Sequence, residues 1–115
     1  MIFIIAVISV IVGNRFADEP AKTVSVSNDK MYVSFIDVGQ GDGAMILAGD
    51  TCVVVDCGTA GNAAAFLDYI GRYTDRIDCL VLTHAHEDHM GAAASVLNGI
   101  DVDAVLMTAY ASDAA

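Results

Sequence analysis

The chain has 115 residues, of which 56% are hydrophobic, so it can form one small domain with a buried core and is too short for two. Its formal net charge is −10, from fifteen acidic and five basic residues. A surface this acidic repels phosphate backbones and argues against nucleic-acid binding through charge alone. A bound divalent cation can reverse that balance locally, because it is often the largest charge in a site.

The N-terminal part of the chain differs from the rest. Residues 2–12 form an apolar run of eleven residues, interrupted only by Ser9, whereas about 20 apolar residues are needed to cross a bilayer. The run has the length of the apolar region of a signal peptide, although no basic flank precedes it and no clear cleavage site follows. We interpret residues 1–13 as an export or membrane-anchoring segment, with a core strand as the alternative, and expect an extracellular or membrane-anchored, outward-facing protein. Residues 14–30 are predicted to be a linker, and the folded domain is expected over residues 31–115.

The remaining sequence alternates between strand and helix patterns. Apolar, β-branched runs predict strands, and Gly49-Asp50 predicts a hairpin connection. Apolar residues at helical spacing after Asn62, a candidate N-cap, predict a helix. The predicted order is strands 31–38, 44–48 and 51–56, helix 62–73, strand 78–83, helix 90–99 and strand 103–108. Strands that alternate with helices favour an α/β layered domain.

The glycine-rich turn after the first predicted strand has a second interpretation. Gly39, Gly41 and Ala44 fit the G-x-G-x-x-G/A pattern of a dinucleotide-binding loop, and Asp56 follows Gly39 by seventeen residues. Such a site needs a helix that opens at the glycines and holds pyrophosphate at its N-terminus. The next residues are strand-like, which disfavours this interpretation. Asp42 is expected to cap the turn, with the alternative that it faces the site described next.

All three histidines of the chain lie in a single six-residue window, together with an aspartate. The window directly follows a predicted buried strand, and loops at strand carboxyl ends are where α/β folds build their sites. Imidazole nitrogen and carboxylate oxygen are ligands that zinc prefers. We therefore predict a metal site at His84, His86, Asp88 and His89, against the alternative of a solvated polar loop.

The cysteines predict a reduced core rather than a disulfide framework. Cys52, Cys57 and Cys79 form an odd set without CxxC spacing. Such cysteines are usually small buried hydrophobes. Cys57 is the one cysteine for which a role beyond core packing is considered, because it follows Asp56 at a predicted strand end.

Three segments resemble the metallo-β-lactamase superfamily. They are FIDVGQGDGAMI (35–46), VVVDCG (53–58) and LVLTHAHEDHMGA (80–92), the last containing an H-x-H-x-D-H motif. Together they are similar to the hydrolase domain of ComEC-type competence proteins and its free-standing relatives. The resemblance covers residues 31–108 and implies an α/β fold of the αββα sandwich type, of which this chain supplies about the first half.

The resemblance also implies a dinuclear centre with two divalent metal ions, zinc first, with manganese or iron as alternatives. It implies that His84 and His86 bind one ion and that Asp88 and His89 bind the other. Asp88 is in addition the expected catalytic residue, because it would orient the attacking water.

The same resemblance also implies which residues orient the ligands. Asp56 matches the acidic residue that the family places at a strand end to orient ligands, and Asp42 is a weaker candidate for such support. Cys57 stands where many members have threonine and is expected not to touch a ligand. Diiron flavoproteins of the family replace the second histidine by glutamate. Here His86 is intact and Glu87 is its neighbour, which favours a hydrolytic centre.

The expected function is metal-dependent hydrolysis by an activated water. The favoured substrate is a phosphodiester, in a small molecule or a nucleic acid, and the alternative is an ester, thioester, lactone or β-lactam. A third possibility is an inert, truncated metal-binding module. Zinc hydrolases typically use three protein ligands, and no histidine follows His89. We therefore expect the 115-residue chain to be inactive on its own, and poorly soluble as half of a sandwich. The sequence indicates no protein partner.

Overall fold

The computed structural model describes residue 24 and residues 26–109. The predicted export or anchoring segment 1–13 lies outside the described residues, as does most of the predicted linker 14–30. No helix among the described residues is long and apolar enough to span a membrane.

A five-stranded mixed sheet forms the centre of the described part of the chain. The strands of the chain are β1 (Met31–Phe35), β2 (Gly43–Ala48), β3 (Thr51–Cys57), β4 (Arg76–Ile77), β5 (Cys79–Leu82), β6 (Asp101–Val102) and β7 (Val105–Met107). The central sheet has the order β1-β2-β3-β5-β7, and β4 pairs separately with β6. The pairs β1–β2 and β2–β3 are antiparallel, whereas β3–β5 and β5–β7 are parallel. The carboxyl ends of β1, β3 and β5 therefore meet at one edge of the sheet.

Helices cover one face of this sheet. They are a 3₁₀ turn (Ala60–Asn62), α1 (Ala63–Gly71), α2 (Glu87–Met90) and α3 (Ala93–Gly99). Phe66 and Ile70 of α1 and Val96 of α3 are buried in one cluster with alternate strand residues such as Val54 and Leu80. Each such side chain contributes about 1.5–3 kcal/mol when it is fully buried. This packing makes β3 and β5 a rigid support for whatever follows them.

The opposite face of the sheet is apolar and remains accessible. We call it the open sheet face; its residues are Met31, Val33, Phe35, Ile46, Val53, Val55, Cys79, Val81 and Leu106, which the strand registers place side by side. Phe35 is 86% exposed and Leu106 is 61% exposed, and the central members are half-buried. The described residues thus form a two-layer arrangement with helices on one side only.

The structure corrects several boundaries expected from the sequence. The strand predicted over 31–38 ends at Phe35 and is mostly exposed, because it lies at the sheet edge with one side on the open sheet face. Asn62 occupies the N-cap position of α1 but makes no cap; its side-chain amide donates to the carbonyl of Val38 instead. No helix opens at the glycines, since β2 begins at Gly43, and the dinucleotide interpretation is therefore excluded.

The predicted helix 90–99 is shorter in the structure, where α3 covers only Ala93–Gly99 and the separate helix α2 begins inside the histidine-rich motif. Glu87 opens α2 and Ala93 opens α3. The cysteines are free: Cys52 and Cys57 are buried as expected, whereas Cys79 is only half-buried.

Candidate metal centre

The histidine-rich loop leaves the carboxyl end of β5, whose Leu80 and Leu82 are anchored in the core. His86 is extended, with φ −78° and ψ 145°, and its carbonyl accepts the N–H groups of His89 and Met90 at 3.0 Å each. The motif is thus an extended segment followed by one helical turn. This change from extended to helical backbone brings the side chains of His84 and His89 next to each other at the carboxyl ends of the strands.

The four predicted ligands lie together. The ring centroid of His84 is 3.9 Å from that of His89 and 4.8 Å from that of His86. Nε2 of His89 is 3.7 Å from Oδ2 of Asp88. Imidazoles and a carboxylate are a donor set that suits zinc and related divalent ions.

The donor atoms do not converge on one point in this structure. Across the described ranges, no group of three or more His, Cys, Asp or Glu side chains is arranged to hold a metal ion. The ring of His84 packs against that of His89 at an angle of 49°, and its Nδ1 lies 3.0 Å from the hydroxyl of Thr83. The chemistry of the donor set therefore fits a metal, while the ligand role of each residue stays a prediction.

Asp56 connects the end of β3 to this loop. It is only 4% exposed, and its carboxylate accepts hydrogen bonds from the N–H of Thr83 at 2.9 Å and from the Thr83 hydroxyl at 2.7 Å. The other partner is Nδ1 of His89, at 2.9 Å. An ionised carboxylate can only accept, so Nδ1 carries the hydrogen. This leaves Nε2 on the side of Asp88.

Asp56 and His89 shift each other's pKa values in opposite directions. Burial alone would raise the pKa of Asp56, but the hydrogen bonds from Thr83 and His89 outweigh it, and the pKa is lowered. The hydrogen bond to Asp56 raises the pKa of His89 against the opposing effect of burial, and the charges of Asp88, Asp56 and Asp42 raise it further. Each group therefore stabilises the charged form of the other.

The glycine-rich turn after β1 packs directly on α2. Gly41 has φ 127°, and a Cβ there would overlap the backbone carbonyl of Asp88. The N–H of Asp42 donates to that same carbonyl at 3.1 Å. The exposed Asp42 carboxylate lies 3.5 Å from Nδ1 of His89 and does not cap the turn as expected. Asp37, which sequence analysis passed over, accepts the N–H of Gly39 at 3.1 Å instead.

Two further residues touch the site. Cys57 is fully buried, and its Sγ lies 3.6 Å from the backbone carbonyl oxygen of His89, while no contact with an imidazole ring is described. Burial, followed by the charge of Asp56, raises the pKa of Cys57 to about 11, which keeps the thiol neutral. Thr83 was also missed, although its position directly before the first histidine was a usable signal.

Comparison with known proteins agrees with this arrangement. A sequence model of the metallo-beta-lactamase superfamily matches residues 36–113, and the chain belongs to this family. The mixed sheet with its helices is a partial metallo-β-lactamase fold, and membership supports a hydrolase-type function in general. Among curated proteins, the chain is similar to the Anti-Pycsar protein Apyc1 of Paenibacillus sp. (strain J14), with 40% identity over 48 residues.

That match covers 42% of this chain and 19% of the relative, so the chain spans only a small part of the relative's length. No solved structure matches the chain. The finer resemblance to ComEC-type competence proteins stays a prediction.

Proposed function

We propose that this chain carries the metal-binding half of a metal-dependent phosphodiester hydrolase with a dinuclear, zinc-type centre. The observation that carries the proposal is the state of His89. Its Nδ1 donates to the buried carboxylate of Asp56, while its Nε2 faces Asp88. Metal-binding histidines almost always donate their other ring N–H in this way, which fixes the ring and raises its basicity. Family membership supports hydrolysis in general, and the choice of a phosphodiester rests on the competence-type resemblance.

In this proposal each residue of the site has a separate role. His84 and His86 would hold one ion, and Asp88 and His89 would hold the other. When bound, such ions lower the pKa of water and polarise a phosphoryl oxygen. Thr83 and Asp56 hold His89 in place, and Asp88 would orient the water.

The acidity of the chain adds a second role for metal. A net charge of −10 repels an anionic phosphodiester before it reaches the site. Two divalent cations would reverse the sign of the local potential, so both substrate binding and catalysis would require the metal ions. Two protein donors per ion are fewer than the three usual in zinc hydrolases. Full activity would therefore need at least one further ligand for each ion.

Metal stoichiometry tests the proposal. The chain is stripped with a chelator, titrated with Zn²⁺ or Mn²⁺ at neutral pH and analysed for bound metal. We expect about two ions per chain, as in dinuclear hydrolases, and Asp88→Ala should lose mainly one of them. Asp50→Ala is the matched control, because Asp50 is an exposed carboxylate in the turn between β2 and β3, at the other end of the sheet. A wild-type chain that binds neither metal contradicts the proposal.

Turnover tests the substrate class. The chain and any continuation of its reading frame are assayed against a generic aryl phosphodiester and a generic aryl ester, with each metal. Phosphodiester cleavage that is lost in His86→Ala supports the proposal. Cleavage of the ester alone supports an ester, lactone or β-lactam hydrolase of the same fold. Metal binding without turnover in the extended protein supports the inert module.

A further inference from the structure

We infer that Glu87 is a positioning residue for this candidate centre. Its carboxylate joins α2, which carries Asp88 and His89, to the turn that follows β3, which carries Asp56. The inference rests on the proposed function for its consequence, since the residues it positions are the expected ligands. Its structural basis is independent of metal.

The joining contact is a hydrogen bond between a side chain and the backbone. Oε1 of Glu87 accepts the N–H of Ala60 at 3.1 Å. Ala60 opens the 3₁₀ turn after β3, and an N–H at the start of a helix has no partner within the helix. Thr59 occupies the cap position but makes no side-chain cap. Glu87 therefore supplies from another element the acceptor that the turn lacks.

Gly91 provides the space for this contact. A Cβ at Gly91 would lie 2.7 Å from Oε1 of Glu87 and 2.8 Å from the nitrogen of Ala60, distances that real Cβ atoms essentially never show. The N–H of Gly91 also donates to the backbone carbonyl of Glu87 at 2.8 Å. The glycine thus leaves room where carboxylate and amide meet. A side chain at this position would displace one of them.

Backbone hydrogen bonds hold α2 from the other side. The N–H of Asp42 donates to the carbonyl of Asp88 at 3.1 Å, and the N–H of Gly58 donates to the carbonyl of Asp42 at 3.0 Å. The N–H of Ala92 donates to the carbonyl of Gly58 at 3.1 Å. These bonds link the turns after β1 and β3 to α2 and to the residue that precedes α3. Glu87 adds a link that a single substitution can remove without touching the backbone.

This hydrogen bond gives Glu87 a different role from its neighbours in the motif. One of its oxygens accepts the N–H of Ala60, so this oxygen is directed at the turn after β3. Its effect on metal would therefore pass through Asp88 and His89. Conserving the acceptor should then matter more than conserving the charge.

Three forms of the chain test this. Glu87→Gln keeps a carbonyl oxygen that can accept the Ala60 N–H, whereas Glu87→Ala removes the acceptor. Asp68→Ala is the control for lost charge, because Asp68 is exposed on α1 and pairs only with Arg72 among the contacts described. Zn²⁺ affinity is measured by competition with a chromophoric chelator, and thermal unfolding in excess chelator checks that each variant folds.

We expect Glu87→Ala to weaken zinc binding about tenfold, the low end of effects seen for groups that orient ligands. Glu87→Gln and Asp68→Ala should stay within about threefold of the wild type, the usual scatter for a surface substitution. Equal losses in Glu87→Gln and Glu87→Ala would show that charge, not the hydrogen bond, is responsible and would overturn the inference. Unchanged affinity in Glu87→Ala would overturn it as well.

Amide hydrogen exchange in the metal-free chain separates this inference from the proposed function. We expect the Ala60 amide to exchange about tenfold faster in Glu87→Ala than in the wild type, and the Glu87→Gln variant to retain most of the protection. A wild-type chain that binds no zinc refutes the proposed function, and the exchange rates then decide the inference alone. Identical Ala60 exchange in the wild type and in both Glu87 variants overturns it.

Discussion

Asp56 has a backbone φ of 55° at the carboxyl end of β3. This left-handed region is uncommon for residues other than glycine, and aspartate and asparagine are enriched there. The conformation turns a buried carboxylate toward Thr83 and His89 at the point where the chain leaves the sheet. A supporting role for Asp56 was expected from the family resemblance, but the sequence alone did not identify its partners, because they lie 27 and 33 positions downstream.

Replacing Asp56 tests how much this carboxylate stabilises the fold. Asp56→Asn keeps the backbone preference but presents an amide with one acceptor oxygen to three donors, so hydrogen-bonding groups are left unpaired. We expect a loss of about 1–3 kcal/mol in the free energy of unfolding, the cost of a buried unsatisfied group. Urea denaturation of the metal-free chain measures it. Asp50→Asn, in an exposed turn, should change the value by less than about 0.5 kcal/mol; equal effects of the two substitutions would refute the structural role of Asp56.

The opposite pKa shifts of Asp56 and His89 predict a maximum in stability. A lowered carboxylate pKa contributes stability above pH about 4, which is lost as pH falls through the folded-state value. A raised histidine pKa contributes stability below pH about 6.5, which is lost as pH rises through the folded-state value. The pair should therefore stabilise the metal-free chain most between these limits. Thermal unfolding of the wild type and Asp56→Asn, from below the lower limit to above the upper one, measures the difference; a difference that does not fall outside the two limits contradicts the prediction.

The elements of the central sheet were largely predictable from local patterns, and the smaller ones were not. The apolar runs in 44–48, 51–56 and 78–83 predicted β2, β3 and β5 to within about two residues, the usual accuracy of boundaries. The strands β4 and β6 have two residues each, too few to carry a period. The helix α2 has a polar sequence without an apolar face and is too short to be stable by itself. Contacts with distant turns specify it, and no local pattern encodes those contacts.

Gly41 tests whether the turn after β1 must approach α2 this closely. Gly41→Ala places a Cβ against the Asp88 carbonyl and forces a φ of 127° on a residue that avoids it. Strain alone should cost about 1–3 kcal/mol, measured by chemical denaturation. Gly71→Ala is the matched control, because it lies in α1 with nothing within 4 Å of its added Cβ. It should raise stability by about 0.4–1 kcal/mol. A Gly41→Ala chain as stable as the wild type would contradict the observed packing.

At the scale of the whole molecule, the order of the sheet assembles the candidate site. Because β1, β3 and β5 run in the same direction, Asp42, Asp56 and the histidine-rich loop all lie at one edge. The sequence alone predicted the position of the histidines after a strand. It could not predict that the turn after β1 arrives beside them, since the mixture of parallel and antiparallel pairs follows from tertiary packing.

The open sheet face predicts self-association of the chain. Contiguous exposed apolar surface is a site of association or an aggregation hazard, and Phe35 is its most exposed large side chain at 86%. Phe35→Lys should raise the saturation concentration severalfold and reduce light scattering. Leu97→Lys is the control, because Leu97 is 48% exposed on α3 and away from this face. Similar solubility gains from both changes would show that net charge, not the open sheet face, governs association.

Cys79 gives the open sheet face a native chemical reporter. Of the three cysteines, Cys52 and Cys57 are fully buried with pKa values raised to about 11, whereas Cys79 is half-buried beside Val53 and Val81. An alkylating reagent near neutral pH should therefore modify Cys79 first, since reaction needs an accessible thiolate. The rate of Cys79 modification, measured by mass spectrometry, would then fall when another polypeptide segment covers the sheet. Faster labelling of Cys52 or Cys57 would mean that the core opens more readily than the reagent reaches Cys79 and would contradict the prediction.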